Sequence, residues 1–194
     1  MPHRSLLLLV LPLVLAACQP AAEAPPAVAT VDGKKFTLTD LPGSTIQRAE
    51  RRTPTGILVE AGFVKDGLRH GTWTTYEGDR KTPTKIMSYV DGALNGPYLE
   101  FDQSGRPELV TNYRANELHG HYGKYRLGRP ELETNYVRGQ IDGVLAEYDY
   151  RTNKLKRQVG YKAGVLDGET LYFDGEGQVV HRTLYRAGEK IEGQ

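Results

Sequence analysis

Few residues in this sequence have the reach to do chemistry. Cys18 is the sole thiol among 194 residues, so no disulfide can close within the chain, and any covalent step at sulfur needs an outside group. His119 and His121 stand two apart, a spacing that puts both on one side of an extended strand and supplies the beginning of a metal site. No third ligand of suitable spacing follows them. His119 precedes Gly120 as His70 precedes Gly71, so a recurring turn explains both, and His181 stands alone. Glu131 and Glu133 imitate the paired carboxylates of sugar-cleaving enzymes, yet read more simply as solvent-facing strand residues. The chain has no Gly-x-Ser-x-Gly elbow, no phosphate-cradling glycine loop and no His-Glu-x-x-His. The expectation is a protein that catalyses nothing, with no metal and no cofactor, and with Cys18 as its one site of covalent chemistry.

What would position Cys18 is the segment before it. Met1 to Arg4 is a short basic start, Ser5 to Leu15 is almost wholly apolar, and Ala16 and Ala17 lead to Cys18. This is the pattern of a signal peptide over residues 1–17. The apolar core is too short to cross a bilayer of roughly 30 Å as a helix, which takes about 20 residues. The run Leu15-Ala16-Ala17-Cys18 resembles a lipobox, the motif of bacterial lipoproteins. That resemblance implies cleavage before Cys18, diacylglyceryl attachment to its sulfur and a lipid anchor of more than one acyl chain, palmitate among them; each buried methylene adds about 0.8 kcal/mol of attachment. Gln19 is not the aspartate that retains lipoproteins at the inner membrane, so the resemblance points to the outer membrane of a two-membrane cell envelope, with the protein facing the periplasm.

Loss of residues 1–17 removes only Arg4 from the charged set, which leaves the cations level with the 24 Asp and Glu. A neutral chain has no electrostatic footprint for nucleic acid and no polybasic patch for anionic lipid. Residues 18–30 are the lipidated cysteine and a Pro/Ala-rich linker, which in extended form holds the rest up to roughly 35 Å from a bilayer. Residues 31–63 read as an N-terminal cap, with strands at Phe36-Thr37-Leu38-Thr39 and Ile57-Leu58-Val59 and a charged, irregular connector at Gln47 to Arg52.

From residue 64 to 194 the chain repeats. A unit opens Tyr-x-x-Gly-x-x-x-Gly: Tyr89, Gly92, Gly96; Tyr136, Gly139, Gly143; Tyr161, Gly164, Gly168. Val64 replaces the tyrosine before Gly67 and Gly71, and Asn116 replaces the first glycine between Tyr113 and Gly120. Asparagine is the best non-glycine choice for a positive φ, so that exchange itself marks a left-handed position. Twelve residues after each start comes an aromatic, Tyr76, Phe101, Tyr125, Tyr148 and Phe173, and a truncated sixth copy begins at Tyr185 and Gly188. Starts are 25, 24, 23, 25 and 24 residues apart, and the variation falls in a second turn: Asp102 to Gly105, Arg126 to Gly128, Tyr150 to Asn153 and Asp174 to Gly177.

Each unit reads as two short strands and two turns, with Asn95-Gly96, Asp142-Gly143 and Asp167-Gly168 as tight-turn signals. Residues two apart, such as Leu99 and Phe101, share a face. The expected fold is all-β: an elongated antiparallel meander of about ten strands, about 4.8 Å apart. With the offset-twelve aromatic, the pattern is similar to the MORN repeat, and closest to the bacterial variant often labelled antitoxin-like. The resemblance covers residues 64–194 and implies an extended sheet used as a binding or scaffolding surface; it carries over no catalytic residue.

All twelve tyrosines lie from Tyr76 onward. The start and offset-twelve aromatics read as the packing rows that hold hairpins together. Trp73, Tyr98 and Tyr122 occupy the ninth position, on the opposite face of the same strand from the twelfth, and become Leu145 and Thr170 later. They are the candidate binding patch. The functional expectation is an envelope-anchored lipoprotein whose repeats bind another envelope protein. An antitoxin or immunity role is the alternative, suggested only by the family label; glycan or lipid binding by the sheet comes after it.

Overall fold

The computed structural model describes residues 28–78 and 82–191. The signal peptide, Cys18 and the linker up to residue 27 lie outside the described residues. Fifteen strands follow in order: β1 (Thr37–Asp40), β2 (Ile46–Arg52), β3 (Leu58–Lys65), β4 (Leu68–Tyr76), β5 (Pro83–Val90), β6 (Ala93–Phe101), β7 (Pro107–Arg114), β8 (Glu117–Arg126), β9 (Arg129–Val137), β10 (Gln140–Ile141), β11 (Gly143–Asp149), β12 (Lys154–Lys162), β13 (Val165–Phe173), β14 (Val179–Arg186) and β15 (Glu189–Ile191). Neighbours in sequence are neighbours in space, all antiparallel, and they form one open sheet in which β10 pairs only with β9. The all-β meander expected from the repeat is therefore the architecture. It has more strands than expected, in part because residues 31–63 contribute strands to the same sheet, and Gln47–Arg52 lies in strand β2 and is not an irregular connector.

The tight turn of each unit sits at the first glycine. Asp66-Gly67, Asp91-Gly92, Ala115-Asn116, Arg138-Gly139, Ala163-Gly164 and Ala187-Gly188 all have positive φ at both residues, the two-residue geometry that matches strand twist. Asn116, at φ 70°, is left-handed as its exchange for glycine foretold. The pairs Asn95-Gly96, Asp142-Gly143 and Asp167-Gly168 are not tight turns. The second glycine lies at or within a strand with positive φ, and the ladder slips beside it. Met87 pairs with Tyr98 and Tyr89 with Leu94, two steps on one strand against four on the other. The same slip recurs in the first, third and fifth units. In the fourth it divides the strand into β10 and β11. Such an excess of residues bends a strand sharply.

The polar residue before the bend has a different task from a turn. Asp142 Oδ2 accepts the Ala163 N–H at 3.0 Å, Asp167 Oδ2 accepts the Ala187 N–H at 3.1 Å, and His70 Nδ1 accepts the Asp91 N–H at 3.4 Å. Each ties the bend to the next unit's turn. Beside these bonds runs a backbone series in which the N–H of Gly92, Asn116, Gly139, Gly164 and Gly188 donates to Arg69, Leu94, Leu118, Ile141 and Leu166, all at 2.8–2.9 Å. The hairpin tips thus stack on one another along one edge of the sheet.

Bending at the second glycine folds each tip over one face, so a single sheet supplies both walls of its core. Buried there are Val64, Trp73, Met87, Tyr89 and Leu94 in one cluster, and Leu118, Tyr136, Ile141, Leu145, Val159 and Tyr161 in another; Tyr113 packs against both. At the N-terminal end residues 28–36 lie back over this face. Ala29 N–H bonds Gly92 O, the Arg69 N–H bonds Ala29 O, and Phe36 meets Trp73 edge-on with ring centroids 5.5 Å apart.

Asn116 gives a direct test of the stacked tips, because its Oδ1 accepts the Leu94 N–H at 2.7 Å while its own N–H donates to Leu94 O. Asn116→Gly keeps the φ and loses one hydrogen bond, an expected cost of about 1 kcal/mol. Asn116→Val adds the left-handed penalty of a branched side chain, roughly 1–2 kcal/mol more. Urea midpoints measure both, and equal losses would refute a positive-φ requirement at this turn.

Candidate functional site

The two faces of the sheet differ in kind. Cross-strand pairing sets Trp73, Met87, Tyr98, Thr111, Tyr122 and Thr134 in one row, and this is the inner, packed face. Trp73 is 0% exposed and its Nε1–H donates to Phe63 O. Gly62 leaves space for the indole: a Cβ there would stand 2.2 Å from the ring. Tyr98 meets Tyr113 at 5.6 Å and Tyr122 meets Tyr136 at 5.4 Å, both edge-on. Of the ninth-position aromatics, Trp73 is fully buried, while Tyr98 and Tyr122 are half-buried against the same core, so the three do not form one open patch. Flat strands would have left their face open, whereas the bend closes the hairpin tips over it.

Near the second turns the inner face turns polar. Arg51, Glu60, Thr75, Lys85, Glu100, Leu109, Lys124, Leu132, Glu147 and Arg157 follow one another across the strands. Opposite charges meet along it. Glu60, only 6% exposed, lies between Arg51 at 3.0 Å and Arg69 at 2.6 Å, and the Arg69 guanidinium stacks 4.0 Å from the Trp73 ring. Arg157 meets Glu147 at 2.5 Å. Lys85 meets Glu100 at 2.5 Å, and the Tyr98 hydroxyl donates to the same carboxylate oxygen at 2.6 Å. Burial and then the Glu100 bond push the Tyr98 phenol far above its ordinary value. Burial also works to raise the Glu100 carboxyl, but bonds from Lys85 and Tyr98 outweigh it and hold the group low. Apart from the buried Arg157 Nε, which has no hydrogen-bond partner, these groups pair with one another, which is the behaviour of a structural network.

The outer face has no second layer among the described residues. Its central row, paired strand to strand, is Ala61, Thr74, Ile86, Leu99, Val110 and Gly123. Ile86, Leu99 and Val110 are half-buried by their neighbours alone. Phe63 at 38%, Val144 at 51% and Leu184 at 41% exposure extend the apolar character of this face. The offset-twelve aromatics belong here as well and are half-buried: Tyr76, Phe101, Tyr125, Tyr148 and Phe173. Tyr125 lies over Gly123 and its hydroxyl donates to Glu133 at 3.3 Å. Burial, with Glu133 beside both phenols, raises Tyr125 and Tyr148 above their ordinary values. The spacing puts Leu99 on one face with Phe101, but aliphatic alternation marks either face of a strand, so it does not single out Ile86, Leu99 and Val110 as a surface row. Their position opposite the Trp73 row was the available signal.

The remaining candidates separate. His121 reaches the space beside Gly123 on the outer face, while the buried His119 Nδ1 has no hydrogen-bond partner. Among the described residues no group of three His, Cys, Asp or Glu side chains converges. Glu133 bonds Tyr125, whereas Glu131, the extra residue where the ladder slips, turns toward Lys124 at 4.0 Å and Arg126 at 3.9 Å. The two carboxylates do not share a site.

Because the folded state holds Glu100 below its ordinary 4.5, its contribution to stability is present above that pH and is lost as pH falls through the folded value. Glu100→Gln should therefore shrink the loss of stability between pH 6 and pH 3 by roughly half a kcal/mol after solvent screening. Urea midpoints at the two pH values measure this, and an unchanged difference would remove Glu100 from the acid limb.

No family model matches the chain and no curated protein matches its sequence.

Proposed function

We propose that this chain is an exported lipoprotein, held to the cell envelope by lipid on Cys18, whose outer sheet face docks another protein. The observation that carries the docking function is the Ile86–Leu99–Val110 row. It is a contiguous aliphatic strip across three paired strands, without a covering layer among the described residues. Monomeric proteins seldom leave contiguous apolar surface open without using it. An uncovered face of this kind favours an apolar contact rimmed by polar groups, which is the composition of a protein interface, and Tyr125 and Tyr148 with Glu133 supply such a rim. The anchoring half follows from residues 1–18, where the short apolar segment and Leu15-Ala16-Ala17-Cys18 support lipid attachment and the resemblance to MORN-type repeats supports a scaffolding use. On this proposal the sheet is a docking element and not a catalyst.

The test separates anchor from surface. Cys18→Ala should leave the membrane fraction and lose incorporation of labelled palmitate. Ile86→Asp with Leu99→Asp should keep the anchor and the far-ultraviolet dichroism of the native sheet, yet recover at least tenfold less of a specific partner after crosslinking in envelope extracts. Undiminished recovery by the double variant would overturn docking through the outer face.

A further inference from the structure

The chain carries a formal net charge of only +1, but its charge is not evenly laid out. The second turns of the third and fourth units, β8–β9 and β11–β12, lie side by side. Their residues 124–131 and 149–156 hold Lys124, Arg126, Arg129, Arg151, Lys154 and Lys156 against Glu131 and Asp149. Both acids are engaged locally. Glu131 faces Lys124 and Arg126, and Asp149 Oδ1 accepts the Arg151 and Thr152 N–H groups of its own turn. The cations are pre-arranged: the Arg126 guanidinium lies 4.4 Å from the Tyr150 ring centroid and Arg151 lies 5.5 Å from it, while Arg129 donates to Arg151 O.

Two features of this edge oppose local stability. Arg126 and Arg129 pair directly across the hairpin, and like charges so placed repel. Between them Leu127 has φ 54° and is 58% exposed. In the two-residue turns at the other edge that place is held by Asp66, Asp91, Ala115, Arg138, Ala163 and Ala187, so among the described residues only Leu127 is a large apolar side chain in an exposed left-handed position. Local conflicts without a folding benefit concentrate at functional surfaces. Arginine and tyrosine are also enriched at binding hot spots.

The geometry points to a second contact of the docking function proposed above: the Leu127 tip enters an apolar socket on an acidic partner protein, and the arginines around Tyr150 meet its carboxylates. The neighbouring turns narrow the choice of occupant. Glu108 flanks the patch on one side and Glu176 on the other, while Asp102 is paired with Arg106 and Asp174 accepts N–H groups of its own turn. A planar anionic surface such as a bilayer would press against those acids. A protein segment confined to four strands, about 20 Å across, would not.

The probe is a labelled twelve-residue peptide rich in Asp and Glu with one central Leu, and its Leu→Ala twin, titrated against the full chain in detergent by fluorescence anisotropy. Expected is salt-sensitive binding at least fivefold tighter for the Leu peptide, weakened at least tenfold by Arg126→Glu with Arg129→Glu. Leu127→Asn, which suits the left-handed turn and keeps the fold, should erase the difference between the two peptides. Equal binding by native and charge-reversed chains would overturn the assignment, as would binding of phosphatidylglycerol vesicles without binding of the peptide. If the charge-reversed chain still recovers the partner that Ile86→Asp with Leu99→Asp loses, the outer-face docking stands and this contact falls.

Discussion

A single antiparallel sheet has no partner layer against which to bury apolar side chains, and an isolated hairpin is marginal in water. This chain meets that constraint by bending one strand of each unit at the second glycine of the repeat. The bend needs a residue tolerant of positive φ and a ladder that can lose its register, and the slip beside Gly96, between Met87–Tyr98 and Tyr89–Leu94, provides both. Once bent, the tip of one unit lies within reach of the next, and the N–H groups of Gly92, Asn116, Gly139, Gly164 and Gly188 close onto the preceding unit. Stability in such an array is local, with each unit held by its neighbours.

The division of the two faces follows from that bend. The face under the folded tips takes Trp73, Tyr98, Tyr122, Leu145 and their cross-strand partners, and its polar margin is filled with mutually paired charges such as Arg51–Glu60–Arg69 and Lys85–Glu100. The other face receives no tips. Its aliphatic row and half-buried aromatics stay accessible, and that accessibility is what a docking surface requires. Apolar residues on the two faces thus differ in consequence and not in type.

Unit length has an equally local cause. The third unit is the shortest because Leu127-Gly128 is a two-residue turn, where Asp102 and Asp174 each head a longer turn that their carboxylates hold by accepting N–H groups from residues two and four further on. The shortening places Arg126 opposite Arg129 and brings Tyr150 of the next turn beside them. A patch of one sign therefore forms within a chain whose sequence is balanced.

Periodicity by itself determined that the chain is all-β, that its unit is a pair of strands with two turns, and that Asn116 and the first glycines are left-handed, because these properties depend on residues only a few positions apart. The offset-twelve aromatics were legible for the same reason, as residues opposite the ninth position on one strand. What the second glycine does was not legible: Asn95-Gly96 and Asp167-Gly168 carry the dipeptides of a tight turn, and only the register of the neighbouring strand makes them a bend and an inter-unit bond. Which face is core was decided by that bend, which buried Trp73 and left Ile86, Leu99 and Val110 outside. Alternation along a strand sorts side chains into two sets, but it takes the folding of one part of the sheet over another to decide which set loses its water.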